Sequence, residues 1–221
     1  KAYAVNSQGV SYGQEVSFTT LTDSQPGTIT DIDGNVYQTV QIGTQIWMTS
    51  DLKTKRYNNG DQITNVTSAS SWTGLTNGAY CYFNNQSGNF NTYGLLYNQY
   101  AVLDSRKICP AGWHVPTDDE WKTMEMYLGM SQAQANLSYS ERGTNQGGKL
   151  KETGTAHWLS PNTGATNETG FTAVPGGWRG PTDGTFPQPT AATQGSFWWT
   201  STSGIYRAVH CYNATIWRNS N

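Results

Sequence analysis

The sequence is short of charge and contains no long hydrophobic run. Only 13% of its 221 residues are charged, and the formal net charge is -2. Proteins that bind nucleic acid usually present a basic face, so we expect no nucleic-acid partner. A membrane-spanning helix needs about 18 or more consecutive apolar residues. Because the sequence has no such run, we expect no membrane insertion.

Cysteines are few, and no metal-binding pattern is present. Cys81, Cys109 and Cys211 permit at most one internal disulfide and leave one thiol over. No CxxC pair occurs, and no histidine has a second histidine one helical turn away, so the usual zinc patterns are missing. Residues 31–34 contain two aspartates and a glycine but lack the later ligands of a calcium loop, which favours a hairpin turn. We expect neither a metal nor another cofactor.

Signals for export are also missing. The sequence has no initiator methionine and no signal-peptide pattern, and Lys1 leads directly into strand-like sequence. We therefore expect a piece of a longer chain, in which case the missing signal does not argue against secretion.

Large aromatic residues compensate for a low hydrophobic fraction of 35%. The chain has nine tryptophans and thirteen tyrosines, each of which can bury a large area. Its 24 glycines, together with many Asn, Ser and Thr residues, indicate a loop-rich fold with many turns. This profile is typical of a secreted or surface protein rather than of a cytosolic enzyme.

The chain divides into three segments. Residues 1–21 contain two alternating runs, at 1–5 and 15–19, around a turn. This pattern predicts a β-hairpin that resembles the end of a fibronectin-type-III or immunoglobulin-like domain. A linker follows at 22–28, and the main domain is expected at 29–221.

The main domain contains one clear helix, at about 117–128. Thr117 and Glu120 have the spacing of a capping box, and the apolar residues after them fall on one face. Weaker patterns predict short helices at 131–136 and 149–152. Short strands and turns account for the remainder, so we expect an α+β fold with one main helix and short antiparallel strands.

Five blocks of sequence, in a fixed order, resemble a known family. The blocks are DGNVY (33–37) with IGTQIWM (42–48), YGLLYN (93–98), ICPAGWHVPT (108–117), GGKLKE (147–152) with NTGATN (162–167), and GF to PGG (170–177) with WWTST (198–202). Together they resemble the Fibrobacter succinogenes major paralogous domain, which is common in surface proteins of Bacteroidetes-type bacteria. The resemblance covers roughly residues 28–221, and the order of its blocks makes it specific.

The resemblance implies a C-type-lectin-like fold, shared with formylglycine-generating enzymes and with the variable proteins of diversity-generating retroelements. Family members continue beyond residues 218–219 with a final strand containing a cysteine that would pair with Cys109. This chain stops at Asn221, so that C-terminal strand is missing, and either the chain is truncated or the strand is supplied otherwise. The sugar-binding tripeptides of calcium-dependent lectins are absent, so ligand binding should survive EDTA.

Patterns of catalytic chemistry are weak. Residues 143–149 (GTNQGGK) are close to a P-loop, but Leu150 stands where a hydroxyl should hold magnesium, which favours a loop leading into a short helix. No Gly-x-Ser-x-Gly elbow occurs, and nothing near Cys109 suggests a lowered thiol pKa. The active-site cysteine pair of the formylglycine-generating relatives is also missing. We therefore expect a binding protein and not an enzyme.

The tryptophans are divided between core and surface. Four of them are expected to belong to the core: Trp113, Trp121, Trp158 and Trp178. The adjacent Trp198 and Trp199 should face opposite sides of a strand, so that one is buried and the other more exposed.

The C-terminal segment 205–218 is the predicted recognition surface. Alternation places Val209 and Cys211 inward and their neighbours outward, and outward aromatic rings are costly unless they bind something. The predicted binding residues are Trp199, Tyr206, Ala208, His210, Tyr212, Asn213, Thr215 and Trp217. An ordinary aromatic strand is the alternative, and the loops at 178–186 are the next candidate site.

Two classes of function stay open. The first is an extracellular adhesin or receptor-binding module, displayed on a bacterial cell surface or a phage virion, whose partner is an unknown surface protein or glycan. Its C-terminal segment would then be the hypervariable surface of a retroelement-diversified protein. The second is a structural spacer without its own ligand, in a surface or tail fibre that could contain a homo-oligomer of this chain. Exposed aromatic residues around 206–217 would favour the first class, and a flat polar surface the second.

Overall fold

The N-terminal segment forms a hairpin. The structure is a computed structural model, and it describes residues 3–6, 9–12, 26–187 and 194–220. Strands β1 (Tyr3–Asn6) and β2 (Gly9–Tyr12) pair in antiparallel fashion. A hairpin is thus present in this segment, but the first predicted strand pairs with residues 9–12, which were expected to belong to the turn. The strand predicted at 15–19 lies outside the described residues, as does most of the linker.

The main domain begins with an antiparallel meander of three strands. These are β3 (Thr28–Thr30), β4 (Val36–Ile42) and β5 (Gln45–Met48). In the turn between β3 and β4, the Asp31 carboxylate accepts hydrogen bonds from the backbone N–H groups of Asp33 and Asn35 and from the Tyr37 hydroxyl. Gly34 takes a φ of +84°, which glycine adopts without strain. The predicted hairpin turn is confirmed. The Asp31 carboxylate, which a calcium loop would use as a ligand, instead accepts hydrogen bonds from groups within the turn and β4.

A second small sheet and several short helices follow. Strand β7 (Ala79–Cys81) lies between β6 (Thr64–Asn65), to which it is parallel, and β8 (Leu96–Tyr97), to which it is antiparallel. The helices of this region are α1 (Ala69–Thr73), α2 (Phe90–Tyr93) and α3 (Gln99–Val102). Helices α2 and α3 pack on a hydrophobic cluster whose buried members include Tyr57, Ile63, Tyr80, Leu95 and Ile108, and α1 contributes to a separate small cluster.

The main helix lies where the sequence predicts it. Helix α4 spans Asp118–Tyr127, and both hydrogen bonds of the Thr117–Glu120 capping box are present. Helix α5 (Gln132–Ala135) confirms the second prediction. Helix α6 (Gln146–Leu150) begins three residues earlier than the short helix predicted at 149–152, so those bounds are wrong.

The largest sheet has four antiparallel strands and contains the C-terminal segment. Its order is β10 (Gly195–Trp199), β11 (Ile205–His210), β12 (Ile216–Ser220) and β9 (Ser140–Arg142). Its inner face packs with α4 on the main hydrophobic cluster, where Trp121 and Trp158 are 1% and 2% exposed, as predicted. The opposite face of the sheet contributes to the candidate site described below.

A network of buried charges that sequence patterns did not predict joins α4 to this sheet. Glu125 accepts hydrogen bonds from Arg142 and from Arg207 at 2.7–2.8 Å. Asp118 accepts from Arg207 at 2.7 Å and from Arg218 at 2.7–2.8 Å. All five side chains are buried. The arginines that interrupt the apolar pattern of β11 and β12 therefore point inward and hold the helix on the sheet.

The described residues thus form a mixed fold of small sheets and short helices, as expected for the α+β class. Among their helices, none has the length and apolar character that crossing a membrane requires.

Candidate ligand-binding site

Strand pairing places five of the predicted site residues on one face of the large sheet. Phe197 lies opposite Ala208, Ala208 lies opposite Trp217, and Trp199 lies opposite Tyr206. Because side chains alternate along a strand, His210 shares this face. Tyr212, Asn213 and Thr215 belong to the turn that follows. We call the surface formed by Phe197, Trp199, Tyr206, Ala208, His210 and Trp217 the outer face.

Ala208 does not have the exposure that was predicted for it. Its residue is 0% exposed. The much larger Phe197 and Trp217 lie on either side of it in the register, and a methyl group between two such rings is covered by them. The outward direction was expected correctly from alternation, but the expectation that Ala208 reaches the surface is wrong.

One end of the outer face is a polar cluster around Glu141. His210 Nδ1 lies 3.2 Å from one carboxylate oxygen, and the Thr215 hydroxyl donates to the other at 2.5 Å. Burial would raise the pKa of Glu141, but hydrogen bonds from His210, Thr215 and Asn213 outweigh it and lower the pKa. The ring of Tyr212 stacks on His210 with centroids 4.9 Å apart, and Tyr212 is 57% exposed. Four predicted residues are therefore brought together here, with Glu141 as an unpredicted partner.

The other end of the outer face opens into a large groove of about 1330 Å³. Trp199 and Tyr206 line it, and their rings lie 6.0 Å apart in an edge-on arrangement. The indole of Trp199 donates to the Tyr97 carbonyl at 2.9 Å, which fixes its orientation. Further aromatic rings in the lining include those of Trp113, Trp178 and Phe197. The groove is therefore an aromatic surface rather than a polar one.

Trp178 is a groove residue and not a core residue. Its side chain is 42% exposed, and its ring lies 6.4 Å from that of Phe197. The prediction that it belongs to the core is therefore wrong. Trp113 is only partly buried: it packs on the second hydrophobic cluster and also lines the groove. These two residues extend the candidate site beyond the segment predicted from the sequence.

Arg179 anchors the loop that presents Trp178. Its guanidinium lies 4.5 Å from the Trp72 ring and 4.9 Å from the Phe186 ring. It donates to three backbone carbonyls, those of Val66, Thr67 and Gly184. The loop 178–186, the second candidate in the sequence, is therefore fixed to the body of the domain beside the groove.

Trp198 and Trp199 point in opposite directions, as expected, but the predicted difference in burial is not found. Both are half-buried. Trp198 packs on Trp121, with ring centroids 5.6 Å apart, and its indole donates to Asp51 at 3.1 Å. Both indoles are therefore held by hydrogen bonds at the wall of the groove.

Asp51 is a groove residue that sequence analysis missed. Burial raises its pKa to about 6, although the Trp198 hydrogen bond and the charge of Lys53 act in the opposite direction. No motif surrounds this aspartate in the sequence, and its environment arises only when distant segments pack together.

Lys151 fixes the turn that contains Tyr212 and Asn213. It is fully buried, and its ammonium group donates to the carbonyls of Thr163, His210 and Asn213 at 2.8–2.9 Å. Lys151 therefore holds the turn through main-chain carbonyl groups and not through side chains of the turn.

The segment 143–149 has a packing role. A Cβ on Gly147 would lie 2.0 Å from the Thr215 carbonyl oxygen, and one on Gly148 would lie 2.0 Å from that of Gly164. Only glycine permits such close approach of two backbones. The structure therefore explains the glycine pair of this P-loop-like sequence by the contact of α6 with neighbouring loops.

The three cysteines are free and buried. Burial raises the pKa of the Cys81 thiol to about 11 and that of Cys109 to about 12, and it also raises the pKa of Cys211. These thiols stay protonated at neutral pH and are poor nucleophiles. Among the described residues, no group of three or more His, Cys, Asp or Glu side chains could hold a metal ion.

Comparison with known proteins gives one match, to a family model. No curated protein and no solved structure matches the chain. A family model described as the Fibrobacter succinogenes major domain matches residues 40–215, which include the main helix, the groove loops and all of β11. Since this match covers well over half of the sequence, the chain belongs to the Fibrobacter succinogenes major domain family.

Proposed function

We propose that this protein is an extracellular ligand-binding module, of adhesin or receptor-binding type, displayed on a bacterial cell surface or a phage virion. The observation that carries the proposal is the aromatic groove, which is continuous with the outer face. Exposed tryptophan and tyrosine rings are the side chains that most often supply binding energy, because they offer large contact area at little entropic cost. The ligand is a surface protein or a glycan.

A binding function suits the chemistry of the site better than catalysis does. The cysteine thiols are held protonated, and both oxygens of the Glu141 carboxylate are engaged, one by His210 and one by the Thr215 hydroxyl. The Thr215 hydroxyl donates to this carboxylate, so it is not activated by His210 as a nucleophile would be. We therefore propose a protein that binds its ligand unchanged.

The fold part of the proposal is a C-type-lectin-like domain over residues 29–221. One capped helix packed on a sheet of C-terminal strands, with long loops between, supports it. In this proposal the outer face and its turn form the variable surface of a retroelement-diversified protein. The inward arginines and Val209 would be its constant part, since they hold the sheet to α4.

The test is a glycan-array and cell-binding screen of the full chain with three variants. Trp178→Ala removes a groove ring, and a triple alanine variant at His210, Tyr212 and Trp217 removes two rings of the outer face and one ring of the turn that follows it. Tyr127→Ala is the matched control, because Tyr127 is 67% exposed on α4 and does not line the groove. We expect the first two variants to lose binding and the control to keep it, with melting temperatures within a few degrees of the wild type. We also expect binding to survive EDTA.

Each outcome has a defined meaning. Loss of binding in the triple variant alone would place the site at the Glu141 end of the outer face, and loss in Trp178→Ala alone would place it in the groove. A triple variant that unfolds would show that these rings are structural. A chain that captures no glycan and no cell would contradict the proposal and favour the spacer function.

A further inference from the structure

The groove contains a carboxylate, that of Asp51, which forms no ion pair with any described residue. Its Oδ1 accepts one hydrogen bond, from the Trp198 indole at 3.1 Å, and its Oδ2 accepts none from the described residues. A neutral indole donor does not cancel a negative charge. Asp51 is therefore a partly desolvated anion with one oxygen still available.

The space beside this oxygen is kept open by a glycine. A Cβ added to Gly176 would lie 3.5 Å from Asp51 Oδ2 and 3.7 Å from the Tyr93 carbonyl oxygen. Those are ordinary contact distances, so glycine is not required there by the fold. A ligand atom can occupy the volume that a side chain at position 176 would fill.

Aromatic rings border the same part of the groove. Tyr93 and Trp198 are half-buried and line it, and Trp198 packs on the buried Trp121 ring, 5.6 Å away. The faces of aromatic rings carry partial negative charge and attract organic cations. A cation would also compensate the buried carboxylate, whose pKa is raised to about 6 by burial. A neutral ligand would leave that charge uncompensated.

We propose that this part of the groove binds an alkylammonium group, with Asp51 Oδ2 as its counter-ion and the surrounding rings in contact with its carbon atoms. The inference rests on the proposed function, since it concerns the same groove and names the chemistry of the ligand. A divalent metal does not fit, because it needs several oxygen ligands and Asp51 supplies one carboxylate among rings.

The experiment uses the full chain and two matched pairs of probes. Choline is compared with 3,3-dimethylbutan-1-ol, its neutral isostere, and Nα-acetyl-lysine methylamide with the norleucine analogue. Binding is followed by the NMR signal of the Trp198 indole N–H, which reports directly on the Asp51 site. We expect at least one cation to bind at least about ten-fold more tightly than its neutral isostere. The choline and lysine arms distinguish a quaternary from a primary ammonium ligand.

Two variants test the residues. Asp51→Asn keeps an oxygen acceptor for the Trp198 indole but removes the charge, and it should weaken cation binding by about ten-fold or more without affecting the neutral isostere. Gly176→Ala places a methyl group beside Oδ2 and should weaken binding while leaving the fold intact. Tyr127→Ala is again the control, and its affinity should equal that of the wild type.

Cation binding should weaken as pH falls through about 6, because protonated Asp51 carries no charge. Lys53 is the charged group whose field acts on Asp51. His114 and Glu120 also line the groove, where they pair with each other at 2.8 Å. The profile is repeated in His114→Gln, which removes this pair from the groove. The same profile in both proteins assigns the effect to Asp51.

The result that would overturn the inference is a neutral isostere that binds as tightly as its cation, or an Asp51→Asn variant with unchanged cation affinity. Absence of any cation binding would also overturn it. If a glycan or cell target is nevertheless captured through Trp178, the proposed binding function stands and only the alkylammonium ligand is rejected.

Discussion

At the scale of single residues, Lys151 shows how one buried charge can hold a surface turn. Its ammonium group donates to three carbonyls, and its position 5.5 Å from the Trp158 ring adds a cation–π contact. A buried ammonium is costly unless its hydrogen bonds are satisfied, and here each of its three donors has an acceptor. The turn that presents Tyr212 therefore depends on a residue far away in the sequence.

Replacing this lysine should destabilise the protein. Lys151→Met keeps most of the side-chain volume but leaves three carbonyl groups without a donor, and we expect the free energy of unfolding to fall by about 2–4 kcal/mol. Lys107→Met, at an exposed lysine, is the matched control and should have little effect. Urea denaturation measures both. Equal stabilities of the two variants would show that the three hydrogen bonds contribute little.

Asp51 gives a prediction for the pH dependence of stability. Burial raises its folded-state pKa to about 6, so the folded chain binds this proton more tightly than the unfolded chain, whose aspartates titrate near about 3.9. The contribution of Asp51 to the free energy of unfolding must then fall as pH rises from about 4 to about 6. Asp51→Asn removes this contribution. Its melting temperature, relative to the wild type, should be higher at about pH 7.5 than at about pH 4.

At the scale of elements, one tryptophan on the inner face of helix α4 makes its main packing contacts. Trp121 is 1% exposed, and its ring lies 5.0 Å from that of Trp47 and 6.2 Å from that of Phe171. The helix therefore joins the meander, the large sheet and the loops between them through a single ring cluster.

Two tryptophan-to-alanine changes should differ sharply in effect. Trp121→Ala opens a cavity in this cluster and should cost about 3–5 kcal/mol of stability. Trp178→Ala makes the same chemical change at a 42% exposed position and should leave the melting temperature nearly unchanged. Thermal unfolding followed by circular dichroism compares them. If both variants lost equal stability, the groove ring would be part of the core after all.

The local elements could be predicted from sequence, but the shape of the site could not. The capping box of α4 depends on residues three positions apart, so Thr117 and Glu120 identify it without any tertiary information. The burial of Ala208 depends on the strands beside it, and the exposure of Trp178 depends on how Arg179 anchors its loop. Strand alternation gave the direction of the outer-face side chains but not the groove into which they lead.

At the scale of the whole molecule, the buried charge network is the connection between helix and sheet. Burial would raise the pKa of Asp118, but hydrogen bonds from Arg218, Lys122 and Arg207 outweigh it and hold the pKa well below its ordinary value. The carboxylate therefore stabilises the folded state at neutral pH. This contribution is lost as pH falls below the unfolded-state pKa of about 3.9.

Asp118→Asn should remove both the stability and its acid dependence. It leaves two buried guanidinium groups short of a counter-charge, so we expect a loss of about 3–5 kcal/mol at neutral pH. The difference from the wild type should shrink as pH falls below about 3.9, because the unfolded wild-type chain then binds a proton at Asp118 that the folded chain does not bind. Asp61→Asn, at an exposed ion pair with Arg106, is the control and should change little. Urea titrations at neutral and acidic pH test this, and a difference independent of pH would contradict the assignment.

The anchoring of the 211–215 turn has a practical consequence for protein engineering. Lys151 contacts carbonyl oxygens, and the glycines of α6 approach the main chain at Ala214 and Thr215, so the contacts that hold this turn involve backbone atoms that every amino acid possesses. Codons at positions 212 and 213 can therefore be randomised in a combinatorial library while the anchor is retained. The domain would then serve as a display scaffold for selecting new binders, as antibody frameworks do for their loops.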